Sequence, residues 1–441
     1  MLSDRQETPI STRSSDVEYL AKHHPQYIEA VSRNYWVNFL LLTLDSGFYT
    51  FATAMLSQDT ILPFLVTRLS GRSLLVGLVP AIYFFGNYFP QLLGAYLANR
   101  VKSRKWQIFW IAVVQRLGIL MIALTMQFVD GLPRNAVLLL FFISYAFYTT
   151  ANGIIVPAYS DFTSKAIIRQ RGLYYGISYG LGGVVGFGAS ALASRLLNTL
   201  AYPQNLQILL WLGLAASFVS PILMANFREV RYPENIASEP LRKFLKSIPG
   251  QIRAYPVFIR YISTRALIGL AYMGNSFYAV YAVQHFDLTD GSLGIFTMII
   301  LLSQSALGLV WGRIGDRLGY KRVLLAASIF LGAEALLALF STQSWVFFGI
   351  AFLMGGVYAA AYIADPNMVF EIAPPHETSR FVGIANTLLS PVYALAPLLG
   401  GLLVDRFSHQ ILFLAVLITA VAALGAVAVW MLEPRKAKRQ G

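Results

Sequence analysis

The sequence contains no cysteine. Disulfides, thiolate metal sites, cysteine nucleophiles and palmitoylation are therefore excluded. Charge is also scarce. Asp, Glu, Lys and Arg make up 12% of the 441 residues, against roughly 25% in an ordinary soluble domain. A globule of this length needs more charge than that to cover itself with solvated surface, and 56% of the chain is apolar. It must face lipid. No phosphate loop is present, so ATP drive from this chain is not expected. Of the five histidines, His23 and His24 sit beside Pro25 in a polar segment, and the pair reads as incidental. No enzyme activity, cofactor or metal is expected. The first 35 residues lack the basic-then-apolar layout of a signal peptide, so the first apolar run is expected to remain in the protein.

A membrane-crossing helix needs about 20 mostly apolar residues. Twelve such spans are read, near 36–58, 74–98, 106–128, 137–159, 172–197, 206–225, 257–284, 295–312, 323–342, 345–370, 380–404 and 410–432. Runs such as 74–80 and 415–430 are continuously apolar, unlike the alternation of a β-barrel. Twelve spans place both termini on one side. Of the 34 Lys and Arg, 26 fall on that side and five on the other: Arg68, Arg72, Arg134, Arg195 and Arg406. The excess of basic residues marks the side of the termini as cytoplasmic. The net charge of +13 thus belongs to topology, and nucleic acid is not an expected partner.

The domain organisation follows: a cytoplasmic N-terminal segment at 1–35, a six-helix bundle at 36–225, a linker at 226–256, a second bundle at 257–432 and a basic tail at 433–441. Within the linker Leu241, Phe244, Leu245 and Ile248 sit at helical spacing beside Arg242, Lys243 and Lys246. They read as a basic amphipathic helix on the membrane face or as a solvated linker helix.

The halves echo each other. After span 8 come Gly312, Asp316, Arg317, Gly319, Lys321 and Arg322; after span 2, at the corresponding place, come Gly94, Asn99, Arg100, Lys102, Arg104 and Lys105. Span 4 ends Pro157, Asp161 and the next opens at Arg171; span 10 ends Pro366, Glu371 and the next opens at Arg380. The 312–322 segment resembles the G-x-x-x-D-R-x-G-x-K/R-K/R loop of the major facilitator superfamily. The 157–172 segment is similar to the same superfamily's Asp…Arg-Gly loop. The first copy departs from the loop pattern at Asn99 and Lys102. The resemblance implies an all-α integral membrane protein of twelve transmembrane helices in two six-helix pseudo-repeat bundles. It further implies a secondary transporter working by alternating access in the plasma membrane as a monomer, with a small molecule and protons as its cargo. Asp316 with its loop, together with Asp161, Arg171, Glu371 and Arg380, is then a conformational latch; the plainer reading is a solvated turn.

Ionisable groups inside a span cost about 2.5–3.5 kcal/mol each on the insertion scale. Asp45, Arg116 and Glu334 fall at similar depths and are the candidates for coupling. Asp45 shares a helical stripe with Asn38 and Tyr49. An ion pair of Asp45 with Arg116, purely structural, is the alternative. The resemblance implies that helices 1, 4, 7 and 10 line the cavity. Its candidate lining is then Asn38, Tyr49, Tyr145, Tyr148, Asn152, Arg265, Asn275, Tyr278, Tyr281, Tyr358, Tyr362 and Asp365. An aromatic and amide lining suits a ligand with an apolar body and few polar groups. Efflux of an amphiphilic compound and a transporter-like sensor or lipid scramblase remain alternatives to coupled uptake. Span 5 carries seven glycines between 172 and 188, and span 11 carries Ala396, Pro397, Gly400 and Gly401. Small residues at this density permit close helix contact.

Overall fold

A computed structural model describes residues 22–433 except 99, 102, 232, 234–240, 287 and 374–377. Among the described residues the secondary structure is helical, with no strand. The long helices are α1 (Pro25–Met55), α2 (Ser73–Ala98), α3 (Arg104–Gln127), α4 (Arg134–Ala166), α5 (Arg171–Thr199) and α6 (Gln204–Asn226), then α7 (Pro256–His285), α8 (Ser292–Leu318), α9 (Tyr320–Phe340), α10 (Trp345–Ile372), α11 (Thr378–Arg406) and α12 (His409–Trp430). Eleven of these, α2 to α12, are long and apolar enough to cross a membrane. The twelfth, α1, is diluted by Asn34, Asn38, Thr43, Asp45 and Ser46.

The interruptions have local causes. The helix of α2 breaks at Phe89–Pro90, where proline supplies no N–H to the helical ladder. In α7 one turn tightens to 3-10 geometry at Tyr272–Gly274. The first span differs from expectation at both ends. α1 starts at Pro25, whose fixed φ suits the first helical turn. After it the chain turns at 56–60 and re-forms a short helix, Ile61–Ser70, that is buried almost throughout. The linker forms a helix at Leu241–Ala254, from which Ile248 and Ile252 pack against the main core.

Helix pairing repeats with an offset of six. In the first half α1 packs on α5 and α6, α3 on α4 and α6, and α2 on α4; in the second half α7 packs on α11 and α12, α9 on α10 and α12, and α8 on α10. The two halves meet along α2 with α11 and α5 with α8, contacts that also interchange under the same offset. One end of the molecule, the near side, carries the linker helix and the α2–α3 and α8–α9 turns. The other end is the far side.

The halves are joined toward the far side. Arg68 and Asp290 form an ion pair at 2.8 Å. The carboxylate of Asp405, at the end of α11, accepts from the backbone N–H of Ser73 (2.7 Å) and of Leu74 (2.9 Å), so it occupies the positive end of α2. Thr60 and Thr297 hydroxyls meet at 2.6 Å, Ser276 donates to the Gln58 carbonyl, and Asn198 accepts from the Gly291 N–H. Backbones touch as well. A Cβ on Gly77 would lie 2.1 Å from the carbonyl oxygen of Pro397, and one on Gly401 2.4 Å from that of Ser73. Span 11's small residues are thus the surface against which α2 seats.

A backbone carbonyl cannot step aside, so Gly77→Ala should destabilise the purified protein by about 1–3 kcal/mol through overpacking. Gly176→Ala, on open helix surface with no heavy atom within 4 Å of its Cβ, should stay within about 0.5 kcal/mol. Thermal unfolding of the two variants in detergent compares them directly.

Candidate functional site

With the far side joined, three mid-helix tyrosines between the halves remain open: Tyr49 on α1 is 43% exposed, Tyr179 on α5 60% and Tyr362 on α10 64%. Tyr362 is an electrostatic neighbour of both Tyr49 and Tyr179, so the three line one space. Its far-side floor is aromatic: Phe84 and Tyr88 on α2 pack against Tyr393 on α11, and Phe84 and Tyr393 each stack on Tyr272 of α7.

Each half fastens its first helix to its fourth through a carboxylate. On α1, Asp45 is 5% exposed and accepts a hydrogen bond from Tyr159 of α4 at 2.7 Å; its Oδ1 has no hydrogen-bond partner. In the second half Arg265 of α7 donates to Asp365 of α10 at 2.6 Å, and Tyr261 donates to the other carboxylate oxygen at 3.1 Å. Arg265 is buried, while the Asp365 side chain is 28% exposed. Tyr159 and Tyr261 are absent from the expected set, because their partners lie 114 and 104 residues away in sequence.

Arg116 makes no ion pair with Asp45. It donates to the Ser217 carbonyl of α6 (2.9 Å), to the Ala112 carbonyl and to Gln115, and Asp45 is an electrostatic neighbour only. From Arg116 an amide chain runs across the bundle. Gln115 donates to Asn152 (2.7 Å), Asn152 to Asn87, Gln91 to the Asn87 carbonyl (3.0 Å), and Asn386 of α11 to Gln91 (2.7 Å). It links α3, α4 and α2 to the second half. Only Asn152 and Arg116 stand out in the sequence. Glu334 on α9 is fully buried, and neither of its oxygens has a hydrogen-bond partner. A buried carboxyl without a donor or cation is stable only in its neutral form.

Several expected cavity residues are placed elsewhere. Asn38 exchanges two hydrogen bonds with the Arg228 backbone (3.0 and 2.9 Å) and ties α1 to the chain leaving α6. Tyr278 stacks on Phe413 of α12, and Tyr281 packs among His285, His409 and Phe413. These two are packing residues, since helical periodicity alone does not tell the cavity face from the α12 face. Tyr145 stacks between Phe141 and Tyr148. Asn275 donates to Tyr358 at 2.9 Å, which links α7 to α10.

The two near-side turns are built alike. In the first half Glu229, just after α6, accepts from Ser103 and from the Arg104 N–H (2.7 Å), and Lys105 donates to the Phe227 carbonyl (2.8 Å). In the second half Glu433, just after α12, lies over Gly319, where a Cβ would meet its carboxylate oxygen at 2.4 Å; Lys321 donates to the Ala428 and Met431 carbonyls (2.9 and 2.8 Å). Gly319 has φ +93°, a conformation that side chains other than glycine's disfavour. Asp316 accepts from Tyr320 within its own turn (2.7 Å). Gly312 is on the last turns of α8, with Arg317 and Arg322 flanking the turn. Asp161 pairs with Arg104 (3.0 Å) and Lys165 (2.9 Å). Glu371 and Arg380 flank the α10–α11 turn. The side chain of Arg171, and Asn99 and Lys102 of the first copy, lie outside the described residues.

Breaking the Arg265–Asp365 pair should be costlier than removing it. Asp365→Asn leaves a buried cation and should destabilise by about 2–3 kcal/mol, below the roughly 3–5 kcal/mol of an enclosed pair because Asp365 is partly open. Arg265→Met with Asp365→Leu should recover most of that loss in denaturant unfolding.

Residues 265–441 match the sequence model of the Major Facilitator Superfamily. A Na(+), Li(+), K(+)/H(+) antiporter of Planococcus maritimus is 25% identical over 169 residues, 36% of this chain and 39% of the relative. A multi-drug resistance efflux pump PmrA homolog of Lactococcus lactis is 29% identical over 159 residues, 34% of this chain and 39% of the relative. The chain thus spans about two fifths of the length of these relatives. The solved structure of nucleoside transporter NupG superposes with a TM-score of 0.66 at 15% identity, covering 89% of this chain and 98% of that one; this likeness shows the fold. The second half thus matches the Major Facilitator Superfamily in sequence, and the repeated six-helix architecture of the whole accords with that likeness.

Proposed function

We propose that this protein is a proton-coupled secondary transporter of a small molecule, working by alternating access. The observation that carries the reading is a set of exposed tyrosines between two pseudo-repeated halves that are joined toward the far side, with a carboxylate in each half fastening its first helix to its fourth. Rocking of the halves about such a site is the means by which repeat-built transporters expose it to either side. Asp45 is the coupling residue. Its Oδ1 is free to take a proton, Tyr159 holds the other oxygen, and Arg116 on α3 is close enough to influence it without neutralising it. Asp365, partly open to the cavity beside Arg265, is a second charged group on its wall. The tyrosine lining fits a cargo with an apolar body.

The basic asymmetry supports a reading with both termini in the cytoplasm, and the protein is taken as a monomer in the plasma membrane. The near side is then cytoplasmic, and the state described is inward-open. The latch role proposed for the Asp316 turn belongs to the opposite state, when the near side closes. Export of an amphiphilic compound is the second reading. It is favoured by the match to a multi-drug resistance efflux pump, and the match to an H(+) antiporter favours proton coupling.

Reporter fusions after Gly441 and at Leu288 should show opposite sidedness, and equal sidedness would overturn the topology. Coupling is checked once a cargo is found by thermal-shift screening. Asp45→Asn should abolish accumulation against a gradient, by at least about tenfold, and keep exchange of cargo. A variant that still concentrates cargo with normal pH dependence makes Asp45 structural and moves coupling to Glu334.

A further inference from the structure

The turn after α1 carries a carboxylate that the cavity does not use. Asp59 is 7% exposed, and its neighbour Thr60 is 1% exposed. It lies where the halves join toward the far side, between the Gln58–Ser276 and Thr60–Thr297 contacts. One of its oxygens receives a long 3.4 Å bond from Gln58 Nε2, the Tyr358 hydroxyl is a second hydrogen-bonding neighbour, and Oδ1 is otherwise without a partner. It borders a small cavity with room for about one water molecule, which Asn275, Tyr278, Phe296 and Phe347 also line. Asn275 Oδ1 and Tyr278 Oη are likewise unpartnered.

The geometry points to Asp59 as a proton-binding site built into the far-side seal, loaded from the far side and holding the seal shut while protonated. A carboxylate enclosed with no cation is costly, and a carboxylic acid is not. Protonation also lets Asp59 donate, either to Asn275 Oδ1 or to a water in the cavity, and so bond one half to the other. When the halves part on the far side, Asp59 meets solvent and the cost disappears. The groups that face it are Gln58 on its own turn, Tyr145 of α4, Tyr358 of α10, and Asn275 and Tyr278 of α7. Glu334 lies beyond Tyr278. Beyond Phe347 and Tyr281 lie His285 and His409. The groups acting on Asp59 directly are thus neutral at working pH.

The sign follows from linkage. Burial pushes the Asp59 carboxyl up to about 6 in the sealed state, and in water an aspartate returns to about 3.9. Below about 4 both states hold the proton, and the sealed state keeps its full advantage. Between about 4 and about 6 that advantage is lost, by up to about 100-fold in the ratio of sealed to opened molecules. External acidity therefore closes the far side.

The inference rests on the alternating-access reading, and the test separates the two. The chain has no cysteine of its own, so Asn135→Cys with Thr342→Cys, on exposed far-side turns of the two halves, takes one spin-label pair. Distance distributions by pulsed dipolar spectroscopy are then recorded in lipid from pH 4 to pH 8, with Gly77→Val as the forced-open control. The expected result is a long-distance population that grows between pH 4 and 6 in the parent and stays small at every pH in Asp59→Asn. If Asp59→Asn fails to fold, Tyr358→Phe removes a hydroxyl that stabilises the carboxylate, and the transition should move to higher pH. A parent insensitive to pH, an Asp59→Asn variant with the parent's pH dependence, or an unmoved transition in Tyr358→Phe overturns the assignment to Asp59. Sealing by sodium in place of choline at constant pH overturns the proton as the ligand. A single distance at every pH, in the Gly77→Val control as well, overturns alternating access itself.

Discussion

The seam between α2 and α11 decides what every other part of the molecule can do. Backbone meets backbone there, at Gly77 with Pro397 and at Gly401 with Ser73, and the Asp405 carboxylate ends on the first N–H groups of α2. Contacts of this kind are made or broken as a unit. Carbonyls and helix ends do not rotate away as side chains do, so the seam tolerates little change in the spacing of α2 and α11. The aromatic floor at Tyr272 and Tyr393 lies on the seam.

Within the halves the governing constraint is the cost of charge away from water. Each ionisable side chain in a span is met in a different way. Asp365 has an arginine and a tyrosine, Asp45 has a tyrosine on one oxygen, Arg116 is shared among carbonyls and an amide, and Glu334 has nothing. The more fully a group is met, the more it serves packing. The incompletely met groups in the spans are Asp45 and Glu334.

The spans, the repeat and the near-side turns are legible in the sequence because hydrophobic length, basic asymmetry and a local motif are properties of short segments. Pairings across the fold are not. Arg265 and Asp365 each stand out as charged, yet nothing in either neighbourhood says that they meet across 100 residues. Asp59 is passed over because it follows the last residue of an apolar run and looks like loop; its burial comes from the short helix Ile61–Ser70 folding back into the core. Tyr278 and Tyr281 share the periodicity of cavity residues but point at α12. Asn38 lies on the stripe with Asp45 and Tyr49, and its amide matches the Arg228 backbone instead.

The paired clamps on the near side have a mechanical meaning. Lys105 and Lys321, each at the second position of its helix, hold the carbonyls where the sixth and twelfth helices end, and Glu229 and Glu433 sit over the starts of the third and ninth. The chain leaving α6 and the chain leaving α12 are therefore handles on the two turns. Tension along the linker after Glu229 pulls on the α2–α3 turn, and tension after Glu433 pulls on the α8–α9 turn that carries Asp316. Whatever is attached to either segment, the linker helix in the first case or a bulky fusion in the second, loads its turn directly.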